Sequence, residues 1–165
     1  MAITGAIKVD FGEVMSHGAW AVSEVTAAKD WDASTRDNFV QRLVVDEDGK
    51  PILVDGLEVK VWQIEVMDRD PAARKDQKMV TVWLASPRQP VPPSPPDEDS
   101  PALVELVGLS MLPKVDRRSC RAPRDGESHF CKSKITYEFW ATDLRAPQRP
   151  ARARATAANG RGEAG

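Results

Sequence analysis

The chain has 165 residues, of which 41% are hydrophobic, and this is enough for one domain with appended segments. Two cysteines at this length do not suggest a secreted disulfide scaffold, and no apolar run approaches the roughly 18–20 residues of a membrane span. The amino terminus lacks the basic segment and apolar core of a signal peptide. We therefore expect a cytoplasmic protein with no membrane partner.

Charge is distributed unevenly, although the formal net charge is only −2. Residues 1–70 contain seven Lys and Arg against 14 Asp and Glu, whereas residues 116–165 contain 11 against six. A chain with an acidic N-terminal part and a basic C-terminal part can bind nucleic acid through the basic part and stay soluble. The alternative interpretation is an acidic solvated surface and an arginine-rich tail that reflects a biased genome.

Alternating apolar residues predict several short strands with turns between them. Residues 29–38 have no apolar period, and we expect them to form a loop. The Asp-Gly pairs at 48–49 and 55–56 tolerate positive φ and predict hairpin turns. Strand character occurs, in chain order, in residues 7–11, 19–26, 39–45, 52–54, 57–66, 79–84, 103–112 and 135–144.

The longest alternating segment, residues 59–88, predicts two strands joined by a charged connection. One face of the pair is expected to be buried and the other to face solvent or a partner. Asp70 and Pro71 offer an N-cap and a first helical residue, which predicts a short helical turn between the strands. The face assigned to the core carries Trp62, Ile64, Val66, Val80, Val82 and Leu84, and the opposite face carries Val61, Gln63, Glu65, Met79, Thr81 and Trp83.

Composition changes abruptly after the second of these strands. Seven of the 13 prolines fall within residues 87–101, together with an acidic triplet at 97–99. Such a segment cannot form a helix or a central strand, and we expect an extended, solvated linker. Residues 147–165 are too poor in apolar side chains to fold alone, which predicts a disordered basic tail.

Short strands, frequent turn signals and little helix favour an all-β fold. A meander, an interposed linker and a closing hairpin suit a small barrel of five to seven strands of the oligonucleotide-binding type, although other small barrels have similar strand patterns. We expect one barrel-like domain over residues 1–146, with residues 87–101 as its irregular insert. In the last strand, Ile135, Tyr137 and Phe139 are assigned to one face and Thr136, Glu138 and Trp140 to the other.

A zinc site has to be considered, because Cys120, His129 and Cys131 fall in one segment. They supply three candidate ligands without a Cys-x-x-Cys pair, and a fourth would have to be His17 or a distant acid. Thiols without a metal are the more frequent outcome for such spacing. We therefore expect the protein to fold without a metal and to need no cofactor.

Catalysis finds little support in the sequence. His17 and His129 are the only histidines, and neither adjacent serine lies in a nucleophile elbow. The acidic pairs within residues 30–32 and 68–70 can bind magnesium, but such pairs are more often solvated loop acids. We expect a protein that is not an enzyme.

Contact with nucleic acid is better supported. Arginines cluster before the last strand and again after it, and such side chains contact phosphate without reading sequence. Trp83 and Trp140 are assigned to faces away from the core, where indole rings can stack on unpaired bases. Outward aromatic residues also pack under a loop or against a second subunit. The candidate nucleic-acid-binding residues are Lys78, Trp83, Arg117, Arg118, Arg121, Arg124, Trp140, Arg145, Arg149, Arg152 and Arg154.

Several segments, taken in order, carry a resemblance to one family. They are the start MAITGAI, the segment WDASTRDN, the central WQIEVMDRDPAARKDQKMVTVWLASP with the following QPVPP, and the closing ATDLRAP. On these residues the chain resembles the plasmid replication, integration and excision activators of actinobacterial integrative conjugative elements. The resemblance covers most of residues 1–147, whereas residues 45–59 and 120–131 are particular to this chain.

The resemblance implies a regulator that switches on replication of a mobile element and its site-specific excision and integration. It implies no catalytic residue. Two functions remain open: a non-enzymatic regulator that associates with DNA of the element, and a protein-binding adaptor. Such an adaptor would recruit a replication initiator or a recombinase without recognising DNA directly. The oligomeric state also stays open.

Overall fold

A computed structural model describes residues 5–73, 78–116 and 133–148, and the fold is nearly all-β. Helix is limited to one four-residue turn in these residues. Among them, no helix is long and apolar enough to cross a membrane. The elements are β1 (Ile7–Lys8), α1 (Phe11–Val14), β2 (Ala19–Ala21), β3 (Thr26–Ala27), β4 (Leu53–Val54), β5 (Leu57–Glu58), β6 (Lys60–Asp68), β7 (Met79–Ser86), β8 (Ala102–Val107), β9 (Ser110–Asp116), β10 (Lys134–Ala141) and β11 (Asp143–Arg145).

The antiparallel pair β6 and β7 forms the centre of the sheet, and its faces follow the alternation of the sequence. Ile64 and Val66 are buried in the main core with Val82 and Leu84, each at most 1% exposed. Glu65, between the two buried β6 residues, is exposed. The prediction of this strand pair and of its core-facing residues is therefore confirmed.

Two long chain segments form one continuous antiparallel ladder. β9 pairs with β10 and β8 pairs with β11, and the register is the same from the pair of Lys134 and Asp116 to the pair of Arg145 and Glu105. Each segment is therefore a single long strand that is interrupted by a bend, at residues 108–109 in one and at Thr142 in the other.

The order of strand pairing carries the sheet round on itself. From β8 the pairing runs through β2, β6 and β7 to β10, and β10 pairs with β9, which continues β8. The pair of β7 and β10 is parallel, and the others in this series are antiparallel. The sheet is therefore curled into a half-barrel around the main core, which contains Met15, Ala19, Val25, Ile64, Val66, Val82, Leu84, Val104, Leu106, Leu109, Ala141 and Leu144.

The bend between β8 and β9 depends on glycine. Gly108 has a φ of 63°, and a Cβ at this position would lie 2.8 Å from Oγ1 of Thr142. Thr142 holds the opposite strand there, because its N–H and its hydroxyl both donate to the carbonyl of Val107, at 2.8 and 3.1 Å. A side chain at 108 would therefore meet both backbone strain and a close contact.

The predicted strand over residues 7–11 is wrong in its second half. Asp10 has an extended backbone and caps α1, since its Oδ1 accepts hydrogen bonds from the N–H of Gly12 and Glu13, at 2.8 and 3.3 Å. An aspartate side chain that satisfies free N–H groups at a helix start competes with strand pairing. Only Ile7–Lys8 pairs, with β9.

The predicted strand over residues 39–45 is present only as isolated bridges. Gln41 bridges Lys29, Leu43 bridges Lys60, and Val45 bridges Pro51. Because the segment pairs with three different parts of the chain, no continuous ladder forms. Residues 39–45, which belong to the connection between β2 and β6, are instead attached at single points to Lys29, Lys60 and Pro51.

The turn predictions in the same connection are confirmed. The N–H of Asp46 donates to the carbonyl of Lys50 at 2.9 Å, and Gly49 has a φ of 78°. Asp55 and Gly56 have φ values of 52° and 76° between β4 and β5. Residues 30–38 form neither helix nor strand, as expected for the predicted loop.

Residues 87–101 contain neither helix nor strand, as predicted, but they are not fully solvated. Pro90 is buried, and Nε2 of Gln89 donates to the carbonyl of Val25 at 2.7 Å. The first part of the segment therefore packs against the chain between β2 and β3. Beyond β6, Asp70 accepts a hydrogen bond from the N–H of Ala72 at 2.8 Å and begins a turn, while residues 74–77 of the predicted helical turn lie outside the described residues.

Replacing Gly108 by alanine should destabilise the fold more than the same change at Gly49. Both glycines have positive φ, which costs a residue with a side chain about 1–2 kcal/mol. Nothing lies within 4 Å of a Cβ at Gly49, whereas the contact with Thr142 should add about 1–3 kcal/mol at Gly108. Urea unfolding of the two variants measures the difference, and equal losses of stability would contradict the close approach at the bend.

Candidate nucleic-acid interface

A second apolar cluster lies on the outer face of the sheet. It is formed where the connection between β2 and β6 folds over β6, β7 and β10. Alternation along β6, β7 and β10 places Val61, Ala85 and Trp140 on the face opposite to the main core. Its buried members are Ala28, Val44, Val59, Val61, Ala85 and Trp140.

Trp140 lies in this cluster and is only 4% exposed. It does occupy the face of β10 opposite to Phe139, as the alternation predicts, but the expectation that this face is uncovered is wrong. The reason is non-local, since Ala28 and Val44 of the β2–β6 connection pack over it. Trp140 is therefore packed inside the second apolar cluster, and its ring is not open for a base to stack on.

Trp83 is half-buried beside Trp140. The parallel register of β7 and β10 pairs the two residues directly, and their ring centroids are 6.1 Å apart with planes tilted by 31°. Arg42 lies over both rings, with its guanidinium carbon 5.8 Å from the Trp83 centroid and 5.5 Å from the Trp140 centroid. This geometry is a cation–π contact with two indoles.

A cleft of about 430 Å³ opens beside this stack. Its walls include Trp140 and Leu112 from the sheet, and Lys29, Trp31 and Arg42 from the β2–β6 connection. Nζ of Lys29 lies 4.6 Å from the ring centroid of Trp31, and Trp31 is 79% exposed. Asp30 and Asp32 line the same cleft, which we name the Trp31 cleft.

The loop that carries Trp31 is held by its own short polar side chains. Oδ1 of Asp30 accepts hydrogen bonds from the N–H groups of Asp32 and Ala33, each at 3.0 Å. Ser34 closes the loop, because its Oγ donates to the carbonyl of Val40 and accepts from the N–H of the same residue, at 3.1 and 2.9 Å. These bonds hold residues 30–40 as one loop, of which Asp30, Trp31 and Asp32 line the cleft.

Two buried polar atoms of β10 have no hydrogen-bond partner within the described part of the chain. They are Nε1 of Trp140 and Oε2 of Glu138, two residues apart on the same face of β10. Oε1 of Glu138 pairs with Nζ of Lys114 at 2.8 Å, so only one carboxylate oxygen lacks a partner. One N–H donor and one acceptor are thus left for a ligand or for water.

The predicted binding residues are brought together only in part. Trp83 and Trp140 meet at the cleft, whereas Lys78 lies at the far end of β7, where its carbonyl accepts from the N–H of Asp68 at 2.9 Å. Arg145 lies on β11 and pairs with Glu105 of β8. Seven others lie outside the described residues: Arg117, Arg118, Arg121, Arg124, Arg149, Arg152 and Arg154.

Lys29, Trp31 and Arg42 were missed as candidates. The spacing of Lys29 and Trp31 within a polar loop was a usable signal, since a lysine two residues from a tryptophan can reach its ring. Arg42 gave no such signal, because its contacts depend on strands that are more than 40 residues away in sequence.

The chain matches no protein-family model, no curated protein and no solved structure. Among the described residues, no group of three or more His, Cys, Asp and Glu side chains is placed to hold a metal ion. The candidate zinc ligands Cys120, His129 and Cys131 lie outside those residues, so the expectation of a metal-free fold stays a prediction.

The pair of Glu105 and Arg145 joins β8 to β11 on the surface. The pKa of Glu105 lies below its ordinary value of 4.5, chiefly because Arg145 donates a hydrogen bond to the carboxylate. Partial desolvation opposes this shift, and the N–H of Gln148 adds to it at 3.4 Å. Arg145 therefore has a structural partner in the fold, whatever else it contacts.

Replacing Arg42 by alanine should destabilise the protein by about 1–2 kcal/mol, because the variant cannot form the partly desolvated cation–π contact with two rings. Arg42→Lys should be less destabilising, since the ammonium keeps the charge but not the planar contact. The control is Arg88→Ala, an exposed arginine, which should change stability by no more than about 0.5 kcal/mol. Equal destabilisation by Arg42→Ala and Arg88→Ala in urea unfolding would show that the stack contributes nothing.

Stability should depend on pH through Glu105. Its folded-state pKa is depressed, so the stabilisation is complete above pH 4.5, its ordinary value, and is lost as the pH falls through the folded-state pKa. Arg145→Gln and Glu105→Gln should each remove this acid-dependent component, and the double variant should remove no more than either alone. Unfolding measured from pH 7 down to about pH 3 tests this, with the exposed Glu58→Gln as the control that keeps it.

Proposed function

We propose that this protein is a non-enzymatic regulator that activates replication, integration and excision of a mobile plasmid-type element through association with DNA. The observation that carries the proposal is the stacking of Lys29 and Arg42 on tryptophan rings in one cleft. Of the segments that carry the family resemblance, WDASTRDN contributes Trp31 and Asp32 to this cleft, and the central strand pair contributes Trp83, which lies beside Trp140. Cations interleaved with aromatic rings suit contact with nucleic acid.

We also propose that the curled sheet is a five-stranded barrel of the oligonucleotide-binding type. Counting each bent ladder segment as one strand, the series of pairs is β2, β6, β7, β10–β11, β8–β9 and again β2. One parallel pair within an otherwise antiparallel series of five suits that fold. The connections after its first and fourth strands are the ones that bind oligonucleotides in such barrels.

Charge in the sequence agrees with this assignment. The connection between β9 and β10 is the one after the fourth strand, and its sequence contains Arg117, Arg118, Arg121 and Arg124. The connection after the first strand carries Lys29 and the cleft. We propose that the arginines supply phosphate contacts, which give affinity without sequence recognition.

A protein-binding adaptor is the second candidate, and an exposed apolar face favours it. Val115, Ile135 and Tyr137 are 56%, 65% and 53% exposed on one face of the β9–β10 hairpin. Val115 and Ile135 are direct cross-strand partners, so the exposed side chains are contiguous. Contiguous apolar surface of this kind suits a protein partner such as a replication initiator or a recombinase.

DNA binding by the purified protein should weaken with salt, and the slope should report the arginines. Removing one phosphate contact should reduce the steepness of log affinity against log salt by about 0.7–0.9. We expect a shallower slope for a variant with alanine at Arg117, Arg118, Arg121 and Arg124. The control carries alanine at Lys8, Lys50, Lys60 and Arg88, which changes the net charge equally but should leave the slope closer to that of wild type.

The same titration separates the two candidates. Absence of binding to single- and double-stranded DNA at low salt would exclude the DNA-associated regulator and favour the adaptor. If both quadruple variants change the slope equally, the change reflects the net charge of the protein, and residues 117–124 supply no specific phosphate contacts.

A further inference from the structure

We infer that the Trp31 cleft binds one unpaired nucleotide, and that the DNA the protein recognises is therefore single-stranded at this point. The inference rests on the proposed DNA association and specifies its ligand. It assigns the base to the ring of Trp31 and to Trp140, and the phosphate to Lys29 and Arg42.

The dimensions and the aromatic wall suit a nucleotide. The cleft volume of about 430 Å³ lies within the roughly 300–1,000 Å³ of small-ligand pockets. Trp31 is 79% exposed although Lys29 lies over its ring, so much of the indole surface is open. A base stacked on an open indole contributes about 1–3 kcal/mol, whichever base it is.

Trp140, in one wall of the cleft, carries a polar group that suits the edge of a base. Nε1 of Trp140 is a buried donor with no acceptor among the described residues, in a side chain that is only 4% exposed. A buried donor without a partner costs about 1–3 kcal/mol, and a ligand that supplies an acceptor removes that cost. A base edge presents both donors and acceptors, and an apolar ligand presents neither.

The charges at the cleft suit a single phosphate. Arg42 and Lys29 form no ion pair within the described residues, and both lie against indole rings. Asp30 and Asp32 also line the cleft, so its lining holds two cations and two carboxylates, and Oδ1 of Asp30 is engaged by two backbone N–H groups. The cations lie against the aromatic rings and the lining as a whole is balanced, which suits one nucleotide better than a long stretch of phosphate backbone.

Neither a duplex nor the open sheet face explains these features as well. A base stacked within a duplex cannot stack on Trp31, so the cleft would contact only its backbone. The outer face of β6 and β7 beyond the tryptophans carries Gln63, Glu65 and Thr81, with Glu24 beside them. The residues that line the pocket on that face include no cation and no aromatic ring, whereas the Trp31 cleft has Lys29, Arg42 and Trp31.

The test uses the full chain, a short labelled oligothymidine, and a labelled duplex of matched length at low salt. Trp31→Ala should weaken oligothymidine binding roughly 5- to 150-fold, the equivalent of one stacked base, and leave duplex binding unchanged. Trp31→Phe should retain most of the affinity, because a phenyl ring still stacks. The matched control is Phe39→Ala, which removes another exposed ring of the same connection that does not line the cleft.

The outcomes distinguish this inference from the proposed function. If the protein binds DNA but Trp31→Ala binds oligothymidine like wild type, the nucleotide site is refuted and DNA association stands. The same holds if Trp31→Ala weakens the duplex and the oligothymidine equally, or if Phe39→Ala weakens oligothymidine binding as much. If wild type binds neither DNA, both fail. Because Trp31 is exposed, unfolding curves of the variants should match wild type, and that measurement accompanies the titrations.

Discussion

The bend in the two long strands is the constraint on which the rest of the structure depends. Straight strands over residues 102–116 and 134–145 would make a flat hairpin with one neighbour on each side. Because the chain turns at Gly108 and opposite it at Thr142, the two halves of each strand reach different neighbours. β8 meets β2, and β10 meets β7, so the sheet curls and encloses the main core.

The same bend creates the candidate site. The parallel contact of β10 with β7 covers only three residue pairs, and the pair of Trp83 and Trp140 is the middle one. Once these rings are adjacent on the outer face, they form an apolar surface that water disfavours. The β2–β6 connection covers most of it, through Ala28, Val44 and Val59, and its bridging segment carries Arg42 onto the rings. The Trp31 cleft lies between this connection and the sheet residues Leu112 and Trp140.

Sequence reasoning was reliable where structure depends on neighbours in the chain. Period-two alternation predicts the faces of β6 and β7, and the Asp-Gly pairs predict both turns of the β2–β6 connection, because each depends on a few adjacent residues. Residues 39–45 are rich in residues that favour strands, but this composition does not say how many partners a strand has. Their three separate bridges are set by tertiary contacts. The N-cap at Asp10 is a local feature that the sequence could have predicted, but the apolar residues around it led to the prediction of a strand over residues 7–11.

The candidate site was harder to predict for a physical reason. Alternation placed Trp83 and Trp140 on the correct faces, but exposure depends on whether another layer covers a face, and that layer comes from residues 28–59. The pairing of Arg42 with two indoles joins three parts of the chain that no local pattern connects. The arginine-rich C-terminal part of the sequence predicted where positive charge lies but not what each arginine contacts, since Arg145 pairs with Glu105.

Alternation along β10 also bears on whether the two proposed functions are compatible. Glu138 and Trp140 face the cleft side of the hairpin, whereas Ile135 and Tyr137 expose an apolar surface on its other side. A protein seated on the apolar side would not cover the cleft, because successive residues of a strand point to opposite faces. DNA association and recruitment of a protein are therefore compatible on one hairpin. Salt weakens phosphate contacts and leaves apolar burial largely intact. A salt titration would therefore separate DNA association from recruitment of a protein in solution.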